Sequence, residues 1–248
     1  MNDHPVNGEH RRKRVLIVGG SGRVGQLVTP ALAEHHDLRL LDLTVPPEPA
    51  LGEFIRGSVT DFPTVRGAAQ GHDALVYLAM GRHDGWNASA EWEVSHFDVN
   101  VTGLHLTLQA AAEAGVRHVV YSSSGSVFAD YKNVDHPTHP EPDAYEVYGL
   151  TKRLGEEVCA AAARRHGISV IALRLVGPMS DDEWRASDGP HRDVVTSGSD
   201  VANAYLAALK HPRPGFRAYV VSGDVDRRII DWSVTHRDLG WRPLARRH

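Results

Sequence analysis

The sequence contains a single cysteine, Cys159, and no apolar run that approaches the roughly 18 residues of a membrane-spanning helix. One cysteine excludes an internal disulfide, and its alanine-rich surroundings indicate a packing role. No secretory signal is visible. We therefore expect a cytoplasmic protein that has no membrane partner.

Neither sign of charge dominates the chain. Its 27 Lys and Arg residues are interspersed with 31 Asp and Glu residues, for a net charge of -4. Nucleic-acid surfaces need clustered positive charge, so we expect no nucleic-acid partner. The 16 histidines occur singly or in loops such as His136 to His139. Without HExxH or Cys/His spacing, they predict no metal site.

The length and composition favour one large α/β domain, or one domain with a small appendage. The chain has 248 residues, of which 42% are hydrophobic and 23% charged. Residues 1–13 are polar and basic without periodicity, and we predict a disordered leader there. Beyond residue 14, short β-branched runs alternate with longer helical patterns. This alternation predicts a parallel sheet with helices on both faces.

The most informative stretch runs from Arg14 to Leu43. A buried strand is predicted at Val15–Val18, and it leads through a glycine-rich turn, GGSGRVG, into a helix. Gly19 permits the tight turn, Gly22 lets the backbone approach a pyrophosphate, and Gly25 lets the helix pack on the strand. The helix N-terminus offers N–H groups and a positive dipole end to phosphates. We predict a dinucleotide site; a purely structural turn is the alternative.

A second predicted strand, Leu38–Leu41, ends at Asp42. A carboxylate at this position accepts hydrogen bonds from both ribose hydroxyls of an adenosine and repels a 2′-phosphate. The sequence therefore predicts NAD as the cofactor in preference to NADP.

Two later predicted strands end at the same edge of the sheet. Phe54–Gly57 is followed by Ser58 and Val59, which we place beside the adenine ring, with an ordinary turn as the alternative. Ala74–Ala79 is followed by Met80 and Gly81, where small residues let the nicotinamide side of a cofactor approach. The next loop, residues 82–90, contains His83 and Trp86; it is either a substrate wall or a surface excursion.

Apolar residues at helical spacing predict one helix from Trp92 to Ala114. Asn100 is a poor former of a helix interior. Its amide holds either a neighbouring loop or the cofactor, unless it is simply solvated. This helix and the helix from Tyr148 to His166 carry apolar residues on more than one face. We expect them to form a homodimer interface, with a fuller intrachain core as the alternative.

The predicted chemistry centres on Tyr148 and Lys152, which lie on one face of a helix because they are four residues apart. A phenol has a pKa near ~10, and a neighbouring ammonium stabilises the phenolate and lowers that pKa. Ser124, at the end of the fifth predicted strand, supplies a hydroxyl to the same substrate oxygen. Together these residues favour proton transfer coupled to hydride transfer between an alcohol carbon and NAD.

These motifs, taken together, resemble the extended short-chain dehydrogenases/reductases of the nucleotide-sugar epimerase/dehydratase superfamily. The resemblance implies a Rossmann-like doubly wound α/β fold, catalytic roles for Ser124, Tyr148 and Lys152, and a cofactor role for Asn100. It covers residues 14 to 243. The matching residues are Gly19, Gly22, Gly25, Asp42, Leu78-Ala79, Asn100 to Gly103, Tyr121 to Ser124, Tyr148, Lys152, Arg174-Leu175, Gly177-Pro178, Arg192 to Val195, Ser199 to Ala202, and Leu239 to Pro243.

Departures from the family pattern concern the substrate. Only Met179 to His191 separate the Gly-Pro turn from the next match, which implies a reduced cap, formed by about residues 178–192 and the C-terminal segment. So short a cap cannot readily cover a nucleotide sugar. Ser58 also replaces a common aspartate, and Val176 a common asparagine. Among shortened members the chain is similar to uronate dehydrogenases. Arg185 or Arg192 is then a candidate clamp for a substrate carboxylate.

We thus expect a single NAD-binding domain over residues 14–248 that oxidises or reduces a small polyhydroxylated substrate. A sugar 4-epimerase with tightly held NAD and a non-catalytic NAD(H) sensor are the alternatives. The expected substrate contacts are Met80, His83, Ser124, Gly125 and Arg185. The expected cofactor contacts are Gly19, Gly22, Arg23, Val24, Gly25, Asp42, Leu43, Ser58, Val59, Leu78, Ala79, Met80, Asn100, Ser122, Tyr148 and Lys152.

Overall fold

The computed structural model describes residues 12–130 and 141–246. The first eleven residues of the predicted leader and the loop histidines His136 and His139 lie outside the described residues. Arg12, assigned above to the leader, donates to the carbonyls of Ala33, Glu34 and His36. A guanidinium at the last carbonyls of a helix satisfies acceptors that have no intrahelical partner. Arg12 is thus held against the folded domain, although the prediction assigned it to the leader.

Within the described residues, seven strands form one sheet, and every neighbouring pair is parallel. The strand order is β3-β2-β1-β4-β5-β6-β7. Strands β2 and β3 are added on one side of β1, and β4 to β7 are added on the other. At such a switch in strand order, a crevice opens at the carboxyl ends of the strands. The strands are Arg14–Val18 (β1), Asp37–Asp42 (β2), Glu53–Arg56 (β3), Ala74–Tyr77 (β4), His118–Ser124 (β5), Ser169–Leu175 (β6) and Phe216–Val221 (β7).

Helices cover both faces of this sheet, as the alternation of the sequence predicts. Val15 and Ile17 of β1 pack into one buried cluster, whereas Leu16 and Val18 pack into the other. Successive residues of a strand point to opposite faces, so a fully apolar strand requires cover on both sides. The helices are Arg23–His35 (α1), Phe62–Ala69 (α2), Ala90–Phe97 (α3), Leu104–Glu113 (α4), Val147–His166 (α5), Asp181–Ala186 (α6), Gly198–Lys210 (α7) and Ser233–Leu239 (α8).

The helix predicted from Trp92 to Ala114 is interrupted. A π-helical segment, Asp98–Gly103, separates α3 from α4. The wider turn shifts the apolar register, so that Asn100 is buried while Val94 and Phe97 remain 57% and 39% exposed. Periodicity alone misses such a segment because the apolar spacing on each side of it remains helical.

Two strands and three helices, β6, β7 and α6 to α8, lie between residues 169 and 246, where no element is predicted above. A signal for α6 is nevertheless present. Ser180 caps this helix and accepts from the backbone N–H of Glu183, whose carboxylate accepts from the backbone N–H of Ser180. This reciprocal capping box has the readable pattern Ser-x-x-Glu. None of the helices within residues 12–130 and 141–246 combines the length and the apolar composition of a membrane span.

A buried ion pair joins α5 to the strands beneath it. Arg174 of β6 donates two hydrogen bonds to the Glu156 carboxylate, of 2.9 Å and 2.7 Å, and Ser123 Oγ donates a third of 2.6 Å. Both charged side chains are buried. A bidentate guanidinium–carboxylate pair is geometrically specific. It therefore fixes the position of α5 relative to the carboxyl ends of β5 and β6.

The Arg174→Met substitution leaves a carboxylate buried without its cation, which costs about 3–5 kcal/mol. We expect urea unfolding to show a loss of this order. The double variant Glu156→Leu/Arg174→Met, which removes both charges, should recover most of that stability. Equal losses in the single and double variants would show that packing, rather than charge pairing, is what this site contributes.

Candidate active site

The glycine-rich turn between β1 and α1 requires glycine for steric reasons at two positions. Gly19 has φ of +86°, and a Cβ there would lie 2.4 Å from the backbone nitrogen of Ala79. A Cβ on Gly25 would lie 2.2 Å from the carbonyl oxygen of Gly20. The turn therefore packs tightly against β4 and brings the N-terminus of α1 to the carboxyl edge of the sheet.

A cleft of about 310 Å³ opens at this edge. Its lining suits a dinucleotide, because the N-terminus of α1 on one side can bind phosphates and the Asp42 carboxylate on the other can bind ribose hydroxyls. The lining includes five residues that sequence reasoning did not single out for the cofactor: Ser21, Leu41, Thr44, Gly57 and Val99. The predicted residues that line it are Gly19, Gly22, Arg23, Val24, Asp42, Leu43, Ser58, Val59, Leu78, Ala79, Met80, Gly81 and His83.

Asp42 ends β2 and organises one wall of the cleft. Its Oδ2 accepts from the backbone N–H of Ser21 at 2.9 Å, and its Oδ1 accepts from the backbone N–H of Thr44 at 3.1 Å. A carboxylate has about four acceptor sites, so these bonds leave capacity for ribose hydroxyls. The two backbone donors hold the carboxylate in place before any ligand arrives.

Lys152 lies beneath the end of β5. Its Nζ donates to the carbonyl oxygen of Ser122 at 2.8 Å and lies 5.9 Å from the centroid of the Tyr148 ring. Burial lowers the pKa of Lys152 to about 8, with Cys159 acting weakly in the opposite direction. The ammonium is thus held by one backbone carbonyl, on the same helical face as the phenol.

Tyr148 lies in the first turn of α5 and is half-buried. Its ring packs 4.9 Å from the ring of Trp86 and 6.0 Å from that of His96, measured between centroids. Ser124 is buried at the end of β5, and its Oγ accepts from the backbone N–H of Ser126 at 3.1 Å. A hydroxyl that accepts one bond still carries a proton to donate. Gly125 follows it in the same buried turn.

Asn100 links the loop after β4 to α5. Its Oδ1 accepts from the backbone N–H of Gly81 at 3.1 Å, and its Nδ2 donates to Thr151 Oγ1 at 3.0 Å. Thr151 in turn donates to the carbonyl oxygen of Tyr148. These bonds support the role of holding a loop. The alternative that Asn100 is simply solvated is wrong, because the residue is buried. Thr151 was missed because a threonine inside a helix carries no recognisable signal.

Neither arginine that we considered as a carboxylate clamp lines the cleft. Arg185, on α6, is exposed and pairs with Asp182 at 2.6 Å. Arg192 borders a separate cleft near the C-terminus, together with Asp224 and Arg228.

The other predicted site residues outside the lining of the dinucleotide cleft are Gly25, Asn100, Ser122, Ser124, Gly125, Tyr148 and Lys152. Among the residues with described positions, no group of three or more metal-binding side chains comes together.

The family model of the NAD dependent epimerase/dehydratase family matches residues 15–196 of this chain. The chain belongs to that family. The match spans β1 to the segment before α7 and includes every residue of the proposed catalytic group. The expected family and its NAD cofactor are therefore confirmed, and the all-parallel sheet confirms the Rossmann-like fold. The preference for NAD over NADP stays a prediction.

Relatives of known activity are similar over nearly the whole chain. The chain is 28% identical to an L-arabinose 1-dehydrogenase (NAD(P)(+)) of Haloferax volcanii, over 93% of this chain and 96% of the relative. It is 26% identical to a uronate dehydrogenase of Pseudomonas syringae, over 88% of this chain and 77% of the relative. Among solved structures, an Agrobacterium tumefaciens short-chain dehydrogenase/reductase superfamily protein with bound NAD superposes with a TM-score of 0.78 at 21% identity, covering 94% and 93%.

Removing the carboxylate of Asp42 tests its predicted role in cofactor choice. In Asp42→Ala we expect KM for NAD to rise by about tenfold, because charged hydrogen bonds such as those to the ribose contribute about 1.5–3 kcal/mol. We expect KM for NADP to fall by about tenfold, because the carboxylate that repels the 2′-phosphate is gone. Initial rates with both cofactors measure the change. The control is Asp37→Ala, at the opposite end of β2. An unchanged ratio of NAD to NADP efficiency in Asp42→Ala would refute the assignment.

Proposed function

We propose that the protein is a dehydrogenase that oxidises a small polyhydroxylated substrate, such as an aldose or a uronic acid, with NAD. The observation that carries this proposal is that Lys152, held by the Ser122 carbonyl near the end of β5 that carries Ser124, lies close to the ring of Tyr148 on the same helix. A sensor of NAD(H) needs no proton acceptor there. The intact acid/base group therefore favours an enzyme over the non-catalytic alternative.

The residues of the chain account for the proton in this reaction. NAD, when bound, supplies the hydride acceptor. Tyr148 reacts as the phenolate and accepts the proton of the substrate hydroxyl, and Ser124 donates a hydrogen bond to the same oxygen. The Lys152 ammonium stabilises the phenolate during transfer. In the reverse direction Tyr148 returns the proton to the forming alcohol.

The small substrate is supported by the short cap and by the relatives. Between β6 and α7 the structure contains one six-residue helix, α6. We infer that this segment is too small to cover a nucleotide diphosphate together with its sugar. Relatives named as arabinose and uronate dehydrogenases have the corresponding substrates. A carboxylate clamp by Arg185 or Arg192 requires movement of either side chain, because neither borders the dinucleotide cleft.

A sugar 4-epimerase is the second candidate, because the matched family includes epimerases. It uses the same acid/base group without net oxidation. The two functions differ in their product: a dehydrogenase accumulates NADH with free aldoses or uronates, whereas an epimerase interconverts sugars without it. Absorbance at one wavelength, read across a panel of sugars, separates them.

We also propose a homodimer formed through the helices α3, α4 and α5. Val94 and Phe97 are exposed apolar residues on this side, and Leu150 and Leu154 on α5 are incompletely buried. Apolar side chains left at the surface of two neighbouring helices are typical of a subunit contact. A cytoplasmic location remains a prediction.

Tyr148→Phe removes the hydroxyl and keeps the ring. We expect kcat to fall by about 10²–10⁴-fold, the usual contribution of a general acid/base group, while the Kd of NAD changes little. Turnover and calorimetric binding of NAD provide the two measurements. Tyr145→Phe, an exposed tyrosine just before α5, is the matched control. Full activity in Tyr148→Phe would exclude this tyrosine as the acid/base group.

A further inference from the structure

An aromatic cluster of Trp86, Trp92 and His96 stands beside Tyr148. The Trp86 ring lies 5.1 Å from Trp92, 6.1 Å from His96 and 4.9 Å from Tyr148, measured between centroids. Trp92 and His96 belong to α3 and are buried, with their rings 3.9 Å apart. The cluster therefore forms a supported wall next to the proposed acid/base group.

Trp86 differs from the other two members because 48% of it is exposed. It lies in a turn closed by a hydrogen bond of 2.9 Å from the backbone N–H of Ala88 to the carbonyl oxygen of Gly85. Gly85 and Asn87, its neighbours in the chain, both have left-handed φ values, +71° and +56°. A large apolar ring is thus held at the surface by aromatic neighbours and a defined turn, instead of being buried.

Two polar atoms of this cluster have no hydrogen-bond partner among the described residues. The Nδ1–H of His96 donates to the carbonyl oxygen of Trp92 at 3.0 Å, which leaves its Nε2 as a bare acceptor. The indole N–H of Trp92 is also buried and unpaired. Burial lowers the pKa of His96, and Lys152 lowers it further, against the Trp92 carbonyl bond. Both residues are buried, so these atoms belong to the rigid support behind Trp86 and leave the exposed indole as the surface that can meet a ligand.

We propose that Trp86 is the stacking platform for the sugar ring of the substrate and sets the specificity of the site. The carbon face of the ring lies on the exposed part of the indole, while its reacting hydroxyl faces Tyr148. Sugar C–H groups carry partial positive charge, and the face of an aromatic ring is negative, so the two attract. This inference rests on the proposed dehydrogenase function.

Such a platform selects its ligand by shape. It favours a pyranose or furanose ring whose hydroxyls leave one face covered only by C–H groups, and it disfavours rings with an axial hydroxyl on that face. An alicyclic alcohol without further hydroxyls has C–H groups that are less strongly polarised by neighbouring oxygens, so it stacks less strongly on the indole face. We therefore expect the site to favour sugars over apolar ring alcohols.

The test compares Trp86→Ala and Trp86→Phe with the wild type, using the best sugar of the panel. In Trp86→Ala we expect KM for the sugar to rise at least tenfold, with kcat within about threefold of wild type and the Kd of NAD unchanged. Trp86→Phe keeps an aromatic face and should recover most of the affinity. Leu244→Ala, an exposed apolar residue near the C-terminus, is the control and should match the wild type.

An unchanged sugar KM in Trp86→Ala, measured against an active wild type, would overturn the platform and leave the dehydrogenase function standing. A parallel loss of NAD affinity would also overturn it, because Trp86 would then support the loop instead of the sugar. Equal use of cyclohexanol and the sugar would exclude the sugar-selective role. If the wild type produces no NADH, the role of Trp86 is tested by calorimetry of sugar binding to the NAD-saturated wild type and Trp86→Ala variant. Weaker binding to the variant supports the stacking platform. Equal binding to both proteins, or no binding to either, refutes it.

Discussion

The hydrogen bond from Lys152 Nζ to the carbonyl oxygen of Ser122 is the contact on which the site depends. It fixes a buried cation at the carboxyl end of β5 and, through the helix that carries it, fixes Tyr148 one turn away. A buried ammonium is costly unless it is hydrogen-bonded, which explains why it uses a strand-end carbonyl. The Glu156–Arg174 pair supports the same helix from β6, so that two independent contacts set its position.

Asn100 extends this arrangement to the opposite side of the site. By joining the Gly81 backbone to Thr151, it ties the loop after β4 to the first turns of α5. The π-helical segment is what turns Asn100 inward between two α-helices. Irregular helical turns of this kind often occur at functional sites. The loop that carries Trp86 begins from this anchored point, so the aromatic wall and the phenol share one support.

The sequence is sufficient to predict the parts of the site in which chemistry and local conformation coincide. Gly19, Asp42 and the Tyr148–Lys152 spacing each indicate a turn or a helix together with a role. The sequence is silent where the role arises from tertiary contact. Thr151 is an ordinary helical threonine until Asn100 meets it. The loop that contains Trp86 is recognisable as a candidate substrate wall, but the packing of Trp92 and His96 against Trp86 is not. The π-helical segment was missed for the related reason that its packing, rather than its local pattern, defines it. The strand β6, SVIALRL, does carry the apolar run of a buried strand, so its position was predictable.

The central claim is that the phenol of Tyr148, supported by Lys152, meets the reactive end of a dinucleotide lodged above the turn after β1. A crystal structure of the protein with NAD and a substrate tests it most directly. The account predicts the adenosine ribose on Asp42, the pyrophosphate at the N-terminus of α1, and the Tyr148 hydroxyl within hydrogen-bonding distance of the substrate hydroxyl beside the nicotinamide. A Tyr148 hydroxyl pointing away from both substrate and nicotinamide, with the cofactor bound, would contradict it.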